Sequence, residues 1–532
     1  MQIPQTPVTL FLVGAVFTTY ASTLDIALME FALTGRNPVA DQSAKAAWDK
    51  GEELLRTNYG SLLNVTGERF LPNPWEACYD TGSLALNWAA RYYYRQTTGD
   101  PVLAMIGSDC PLPAKSLANF ATEWNIPIMT TNSGDSGFYD KQRYPTLTRL
   151  SPYRAEDVSV VLYKILSNFG YNTVGILCDG TEGSDRSGMF PSAALAMSVC
   201  RSVSNTLRDI YNISASWYYI QGKDRQNTID SLEEIKAVAR VVIVIAQGNR
   251  IRPIMLAASD MQMTNGEYVY FAFEPFRHPV PSVGNITWYS KNDGRDAEAR
   301  LAFRSLFKIS TSSSYEDKPE YRNFTPALKQ LIKEKYGDPY YNGFDLEVSP
   351  FTMAYYYALS IYGQTLNEMA TSGSGENLHD GAAVSRLMWN RTYTILGQEI
   401  FINATGDRQS DWILSQPDIN GNFQPVMEYS ARRRWLQPSR DPLDNSIRQI
   451  VWPNNRSSPP LNEPLCGYRG TKCTSDGRDK GGNTFWDVSA DVLQGTASRQ
   501  QGSPIQHALN STVNLIQQFS SVLNQYRDIL HI

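Results

Sequence analysis

Histidine is scarce in this chain. Four occur in 532 residues, at His278, His379, His507 and His531. None has a second histidine or a cysteine at ligand spacing, which leaves a zinc site without its usual donors. No window of eighteen apolar residues occurs, so nothing reads as a membrane-crossing helix. No G-x-S-x-G elbow, phosphate-cradling glycine loop or H-E-x-x-H helix appears, so no signature marks nucleophilic, nucleotide or metalloprotease chemistry. Positive charge is not in excess either. Lys and Arg number 48 against 53 Asp and Glu, a net charge of −5, so no broad basic field exists to attract nucleic acid. Acidic neighbours such as Glu233 and Glu234 suit a solvated helix face better than an acid–base pair. The sequence therefore reads as non-enzymatic, with no cofactor or metal site and no nucleic-acid partner.

What is present points elsewhere. Apolar residues make up 42% and charged residues 19%, a globular composition at a length that suits two or three domains. The first charged residue is Asp25, and "VTLFLVGAVFTTYAS" before it runs from apolar to small residues, as a signal segment cleaved after Ala21 would. The six cysteines form an even set: Cys78, Cys110, Cys178, Cys200, Cys466 and Cys473. Glycosylation acceptors of the N-x-S/T type stand at Asn64, Asn212, Asn285, Asn323, Asn390, Asn403, Asn455 and Asn510, with Pro326 just beyond the Asn323 acceptor. Signal segment, paired cysteines and acceptors together predict a secreted protein, or one on the outer side of the plasma membrane.

Short β-branched runs alternate with helical patterns along the body. "LDIALMEF", "PVLAMIG", "IPIMTT", "NTVGILCDG", "RVVIVIAQG" and "EYVYFAFEP" read as buried strands, separated by stretches such as "PAKSLANFATEWN" and "DSLEEIKAVA" with apolar residues at helical spacing. This alternation predicts an α/β fold with parallel sheets and right-handed crossovers. Ligands of such sheets bind outside the carboxyl ends of the strands. Those ends carry Ser108, Asp109, Thr130 to Ser133, Asp179, Gln247 and Glu274. The set of hydroxyls, amides and carboxylates suits hydrogen bonding to a ligand more than covalent chemistry.

At "VVIVIAQGNRIRPIMLAASDMQMTNGEYVYFAFE" the chain resembles the ligand-binding ectodomains of receptor guanylate cyclases and natriuretic peptide receptors. The stretch "MWNRTYTILGQEIFINATGDRQSDW", with Gly397, Gly406, Asp407 and Arg408, is similar to that family's most specific segment. "GSDC" followed by "EWNIPI", then "YPTLTRLSP", and the Pro-rich "WPNNRSSPPLNEPLCGYRGTKC" match in the same order. The resemblance covers roughly residues 24 to 473. It departs from the family at Phe351, where Thr352 and Met353 stand in place of His-Asp. The chloride site of some relatives is not carried over, because Asp109 beside Cys110 would repel an anion.

The resemblance implies a bilobed, periplasmic-binding-protein-like type I fold with two Rossmann-like parallel-sheet lobes. Lobe one would take residues 23–148 and 347–392, and lobe two 149–346 and 393–451. A cysteine stalk would follow at 452–473, then a linker and helix at 474–532. It implies an unidentified peptide or small-molecule ligand, a homodimer formed through lobe-one helices, and a ligand-driven change of angle between lobes or chains. From relatives that bind amino acids it implies ligand contacts at Ser108, Thr131 and Ser133, faced by Asp179 and Gln247. Relatives that bind peptides place the ligand between two chains instead. The implied disulfides are Cys78–Cys110 and Cys466–Cys473, with Cys178–Cys200 as the remaining pair. Complete receptors of this kind continue into a membrane helix, a kinase-like domain and a cyclase domain. Here the sequence after Cys473 is polar and ends on Ile516, Phe519, Leu523, Tyr526 and Leu530, the spacing of a helix with one apolar seam that would add to a dimer contact. A secreted carrier or decoy using the same cleft is the alternative to a receptor-type binding region.

Overall fold

The octapeptide LDIALMEF forms β1 (Leu24–Phe31), and its last six residues are buried, as a strand covered by helices on both faces requires. With β2 (Leu63–Phe70), β3 (Val102–Gly107), β4 (Ile128–Thr130) and β5 (Leu147–Arg149) it builds an all-parallel sheet in the order β2–β1–β3–β4–β5. The crossovers carry α1 (Pro38–Tyr59), α2 (Thr81–Gln96) and α3 (Pro111–Glu123). Alternation along β1 divides the core: Ile26 and Leu28 face α1, whereas Ala27, Met29 and Phe31 face α2 and α3. This is a computed structural model. It describes residues 23–473 except 32–37, 71–80, 97–99, 109–110, 132–135, 181–192, 221, 223, 278–283, 291–292, 337–347, 373–376, 454–455, 457 and 470.

The chain then repeats the pattern through α4 (Ala155–Asn168), β6 (Thr173–Asp179), α5 (Ala193–Asn205), β7 (Ser214–Ile220), α6 (Arg225–Lys236), β8 (Val241–Ile245), α7 (Gly248–Asp260), β9 (Val269–Phe273), α8 (Asp296–Phe303) and β10 (Leu306–Thr311). After α9 (Pro319–Leu331), α10 (Pro350–Ser372) and α11 (Gly381–Met388) comes a small antiparallel sheet of β11 (Arg391–Ile395), β12 (Gln398–Ile402) and β13 (Arg408–Gln409). The last strands, β14 (Trp412–Pro417), β15 (Phe423–Ser430) and β16 (Trp435–Pro438), extend the second large sheet antiparallel to β10, giving the order β16–β15–β14–β10–β9–β8–β6–β7. Each large sheet with its helices is one lobe.

The long apolar stretch after Phe351 is α10, buried nearly all round against α1 and β3, with the Tyr355 hydroxyl donating to Phe31 O at 3.2 Å. Tyr321, Leu328 and Ile332, on and just after α9, share that same core with Ile26 and Trp48, and so do Tyr393, Ile395, Ile400 and Ile402 of the β11–β12 hairpin. Sequence boundaries at 346 and 392 assign both segments to lobe two; their apolar faces pack instead in the core of lobe one.

Cys178 on β6 and Cys200 on α5 form a disulfide across a Cα separation of 6.3 Å. Cys466 and Cys473 form another, with Cα atoms 4.7 Å apart, in a separate unit that begins at Pro464. Cys78, Cys110, the signal segment and the seam at 516–530 lie outside the described residues. Asn64, Asn212, Asn285, Asn323 and Asn390 are exposed and Asn403 is half-buried, while Asn455 and Asn510 fall outside the described residues.

Asp380 starts α11. Its Oδ1 accepts from the Ala382 and Ala383 N–H groups at 3.1 Å each and from Asn125 Nδ2 at 3.1 Å, tying the helix to the turn before β4. Asp380→Ala should therefore lose about 1 kcal/mol of stability in a urea titration. A value within error of zero would show that Asn125 alone caps this helix.

Candidate functional site

Ser108 follows β3 and Thr131 follows β4. The register pairs Ile106 with Met129, so its continuation sets Ser108 beside Thr131 at the carboxyl end of the first sheet. Both are wholly buried. Ser133 lies outside the described residues. At the matching end of the second sheet, Asp179 closes β6, and its carboxylate accepts from Arg250 Nε at 2.6 Å. Arg250 stands in the first turn of α7, whose preceding residue Gln247 is half-buried with extended backbone. The structure therefore brings Asp179 and Gln247 together through one helix start. Glu274, after β9, accepts from Lys308 Nζ at 2.7 Å and from the Ile286 N–H at 2.7 Å. The strand-end carboxylates of Asp179 and Glu274 are thus engaged by the protein's own cations.

The connections between lobes hold a buried charge cluster. Arg149 on β5 bridges Asp407 as a short parallel pair, with the Arg149 N–H donating to Gly406 O at 2.8 Å. Asp407 Oδ1 accepts from Arg149 Nε at 2.6 Å and Lys141 Nζ at 3.3 Å; Oδ2 lies 3.0 Å from Arg154 Nη1 and accepts from the Thr405 hydroxyl at 3.1 Å. Arg154 also grips Asp157 with two nitrogens, at 2.6 and 3.0 Å. Both guanidiniums stack over the Tyr139 ring. Arg149 and Asp407 are fully buried. Burial works to raise the Asp407 carboxyl, but the Arg149 hydrogen bond and the charges of Lys141, Arg149 and Arg154 overcome it and hold it at about 2. Burial pushes the Lys141 ammonium down to about 8 despite Asp407. Gly406 is required here: φ is +71°, and a Cβ would sit 2.3 Å from Trp389 Nε1, which donates to the Thr148 hydroxyl at 2.9 Å.

A second tie between the lobes is aromatic. Tyr153, Phe276 and Phe351 pack with ring centroids 5.3 to 5.9 Å apart, and Trp412 lies 6.2 Å from Tyr153. These rings come from the first connection, the end of β9, the start of α10 and β14, so both lobes contribute. Among the described residues no three His, Cys, Asp or Glu side chains converge as a metal would need, and no helix is long and apolar enough to cross a membrane.

Two parallel-sheet lobes joined through Arg149 and Asp407 match a known family over residues 76–414, the receptor family ligand-binding region. The chain belongs to that family. Relatives of this ligand-binding region include a receptor-type guanylate cyclase, gcy-28, of Caenorhabditis elegans, 32% identical over 255 residues, which are 47% of this chain and 19% of the relative. Atrial natriuretic peptide receptor 3 of Bos taurus is 27% identical over 392 residues, 71% of this chain and 66% of the receptor. Atrial natriuretic peptide receptor 2 of Rattus norvegicus is 26% identical over 385 residues, 69% of this chain and 33% of the receptor. The region thus spans less than two thirds of each of these relatives. Its fold is the bilobed periplasmic-binding-protein-like one.

Sequence reasoning did not find the charge cluster at the lobe connection. Its signal was nonetheless present, because "YPTLTRLSP" contains Arg149 and "NATGDRQSDW" contains Asp407. Both stretches carried the family resemblance, yet nothing in a linear sequence pairs residues 258 positions apart.

Proposed function

We propose that this chain is the extracellular ligand-binding portion of a receptor-type protein and that its ligand is a peptide. The match of residues 76–414 to a receptor ligand-binding family carries this reading, and relatives named as natriuretic peptide receptors supply the ligand class. The Cys178–Cys200 disulfide supports an oxidising, extracellular setting. A small molecule in the cleft is the second form of the proposal, with Ser108, Thr131 and Ser133 on one wall and Asp179 and Gln247 on the other. The pairing of Asp179 with Arg250 favours the peptide form, since it leaves less charge in the cleft to select a small ion.

The binding unit is proposed to be a homodimer joined through lobe-one helices. Tyr94 on α2 is 67% exposed and stands beside the stacked pair Tyr93–Trp124, with Leu84 also exposed on α2. Such an aromatic surface suits burial against a second copy.

Thermal shift of the purified full chain against natriuretic-type peptides and, separately, amino acids tests the ligand class. A ligand at about a hundred times its dissociation constant adds roughly 2.7 kcal/mol of stability. Stabilisation by a peptide, retained in the Ser108→Ala/Thr131→Ala variant, is the expected result. Loss of binding in that variant would move the ligand into the cleft, and stabilisation by amino acids alone would overturn the peptide.

A further inference from the structure

Many arginines among the described residues lie against a carboxylate: Arg69, Arg149, Arg154, Arg250, Arg252 and Arg295 all do. The turn between β15 and β16 is different. Arg432, Arg433 and Arg434 follow one another there, all exposed, and none forms an ion pair with a described residue. Asp411 behind the turn accepts from the Ala431 N–H at 2.7 Å, and of the three arginines it is Arg433 whose charge acts on that carboxyl. Arg432 lies over the Phe401 ring of the small sheet, at 5.7 Å. Arg434, with φ at +54°, turns to the other side, where its charge partly offsets the burial that raises the Tyr211 and Tyr429 hydroxyls. Trp435 follows and is 63% exposed.

We propose that this hairpin tip binds a sulfated polysaccharide chain. Three exposed guanidiniums in succession on an otherwise acidic protein form a local electrostatic trap for a polyanion, and each planar fork can hold a sulfate through two parallel hydrogen bonds. A row of exposed arginines at a turn has no walls to select one side chain, but it meets the regularly repeated charges of a chain laid across it. The Trp435 indole offers an apolar face on which the C–H face of a sugar ring packs. An acidic peptide adding as a strand is the less favoured partner. The outer edge of β16 is only four residues long and ends on Pro438, which has no N–H to donate. Ser108 and Thr131 belong to the other sheet, and in the hairpin's own sheet four strands lie between β15 and Asp179 on β6.

Heparin decasaccharide is the probe, with the full chain measured by titration at several salt concentrations. The wild type should bind, and Arg432→Ser/Arg433→Ser/Arg434→Ser should weaken binding at least tenfold, with the slope of log affinity against log salt falling by roughly two to three, a little under one for each of the three lost charges. Trp435→Ala should weaken binding several-fold without changing that slope. All three arginines are exposed, so the triple variant should melt with the wild type, and a shared melting temperature certifies that a loss of binding is local. Equal heparin affinity in wild type and triple variant would overturn the proposal. So would equal binding of desulfated heparin, or tighter binding of poly-glutamate, which would assign the tip to an acidic protein partner.

Discussion

Asp407→Asn should lower stability by about 3–5 kcal/mol, the range for removing one partner from a buried ion cluster. The variant leaves Arg149 and Arg154 almost wholly buried with their shared acceptor uncharged. Lys141→Met should behave in the opposite way and stay within about 1 kcal/mol of wild type at pH 7. Burial already works against the Lys141 charge, and two arginines remain on Asp407. The acid limb of stability provides an independent check. The Asp407 carboxyl sits at about 2 in the folded protein against an ordinary 3.8, so its contribution is fully present above pH 4. It is lost as pH falls towards 2, because the unfolded chain takes up its proton first. Urea titrations of wild type and Asp407→Asn between pH 2 and 7 should therefore converge at the acid end. Parallel curves, or a Lys141→Met variant as unstable as Asp407→Asn, would show that Asp407 is not the centre of the cluster.

Removing the Cys178–Cys200 bridge is expected to cost about 3 kcal/mol. The bond closes a loop of 22 residues between β6 and α5, and chain entropy lost from the unfolded state sets that scale. Both side chains are fully buried in the second lobe, so Cys178→Ala/Cys200→Ala should shift the urea midpoint without altering the exposed surface. Peptide mapping under non-reducing conditions supplies the second readout: a linked pair is expected, and free thiols at both positions would contradict the bridge.

Much of the fold was legible from periodicity. LDIALMEF, PVLAMIG and VVIVI are apolar without alternation because each strand is covered on both sides, and such runs identify parallel sheets. The site was legible only in part. Strand ends could be located, and Ser108, Thr131, Asp179 and Gln247 stand at them, because topology fixes where loops emerge. Their partners could not. Arg250 reaches Asp179 across 71 residues, and that contact changes Asp179 from an open acceptor into an engaged one.

Sequence by itself determined the class of fold, the order of its elements and the family, since these depend on local propensity, hydrophobic spacing and motif order. Tertiary structure decided which lobe owns α9 and the β11–β12 hairpin, which carboxylates are neutralised, and that Arg149, Arg154, Lys141 and Asp407 meet at one buried point between the lobes. It also placed Arg432, Arg433 and Arg434 at an exposed turn between two strands. The reason is physical: side-chain spacing along the chain reports which face is buried, whereas the pairing of charges depends on distances through space that no local pattern encodes.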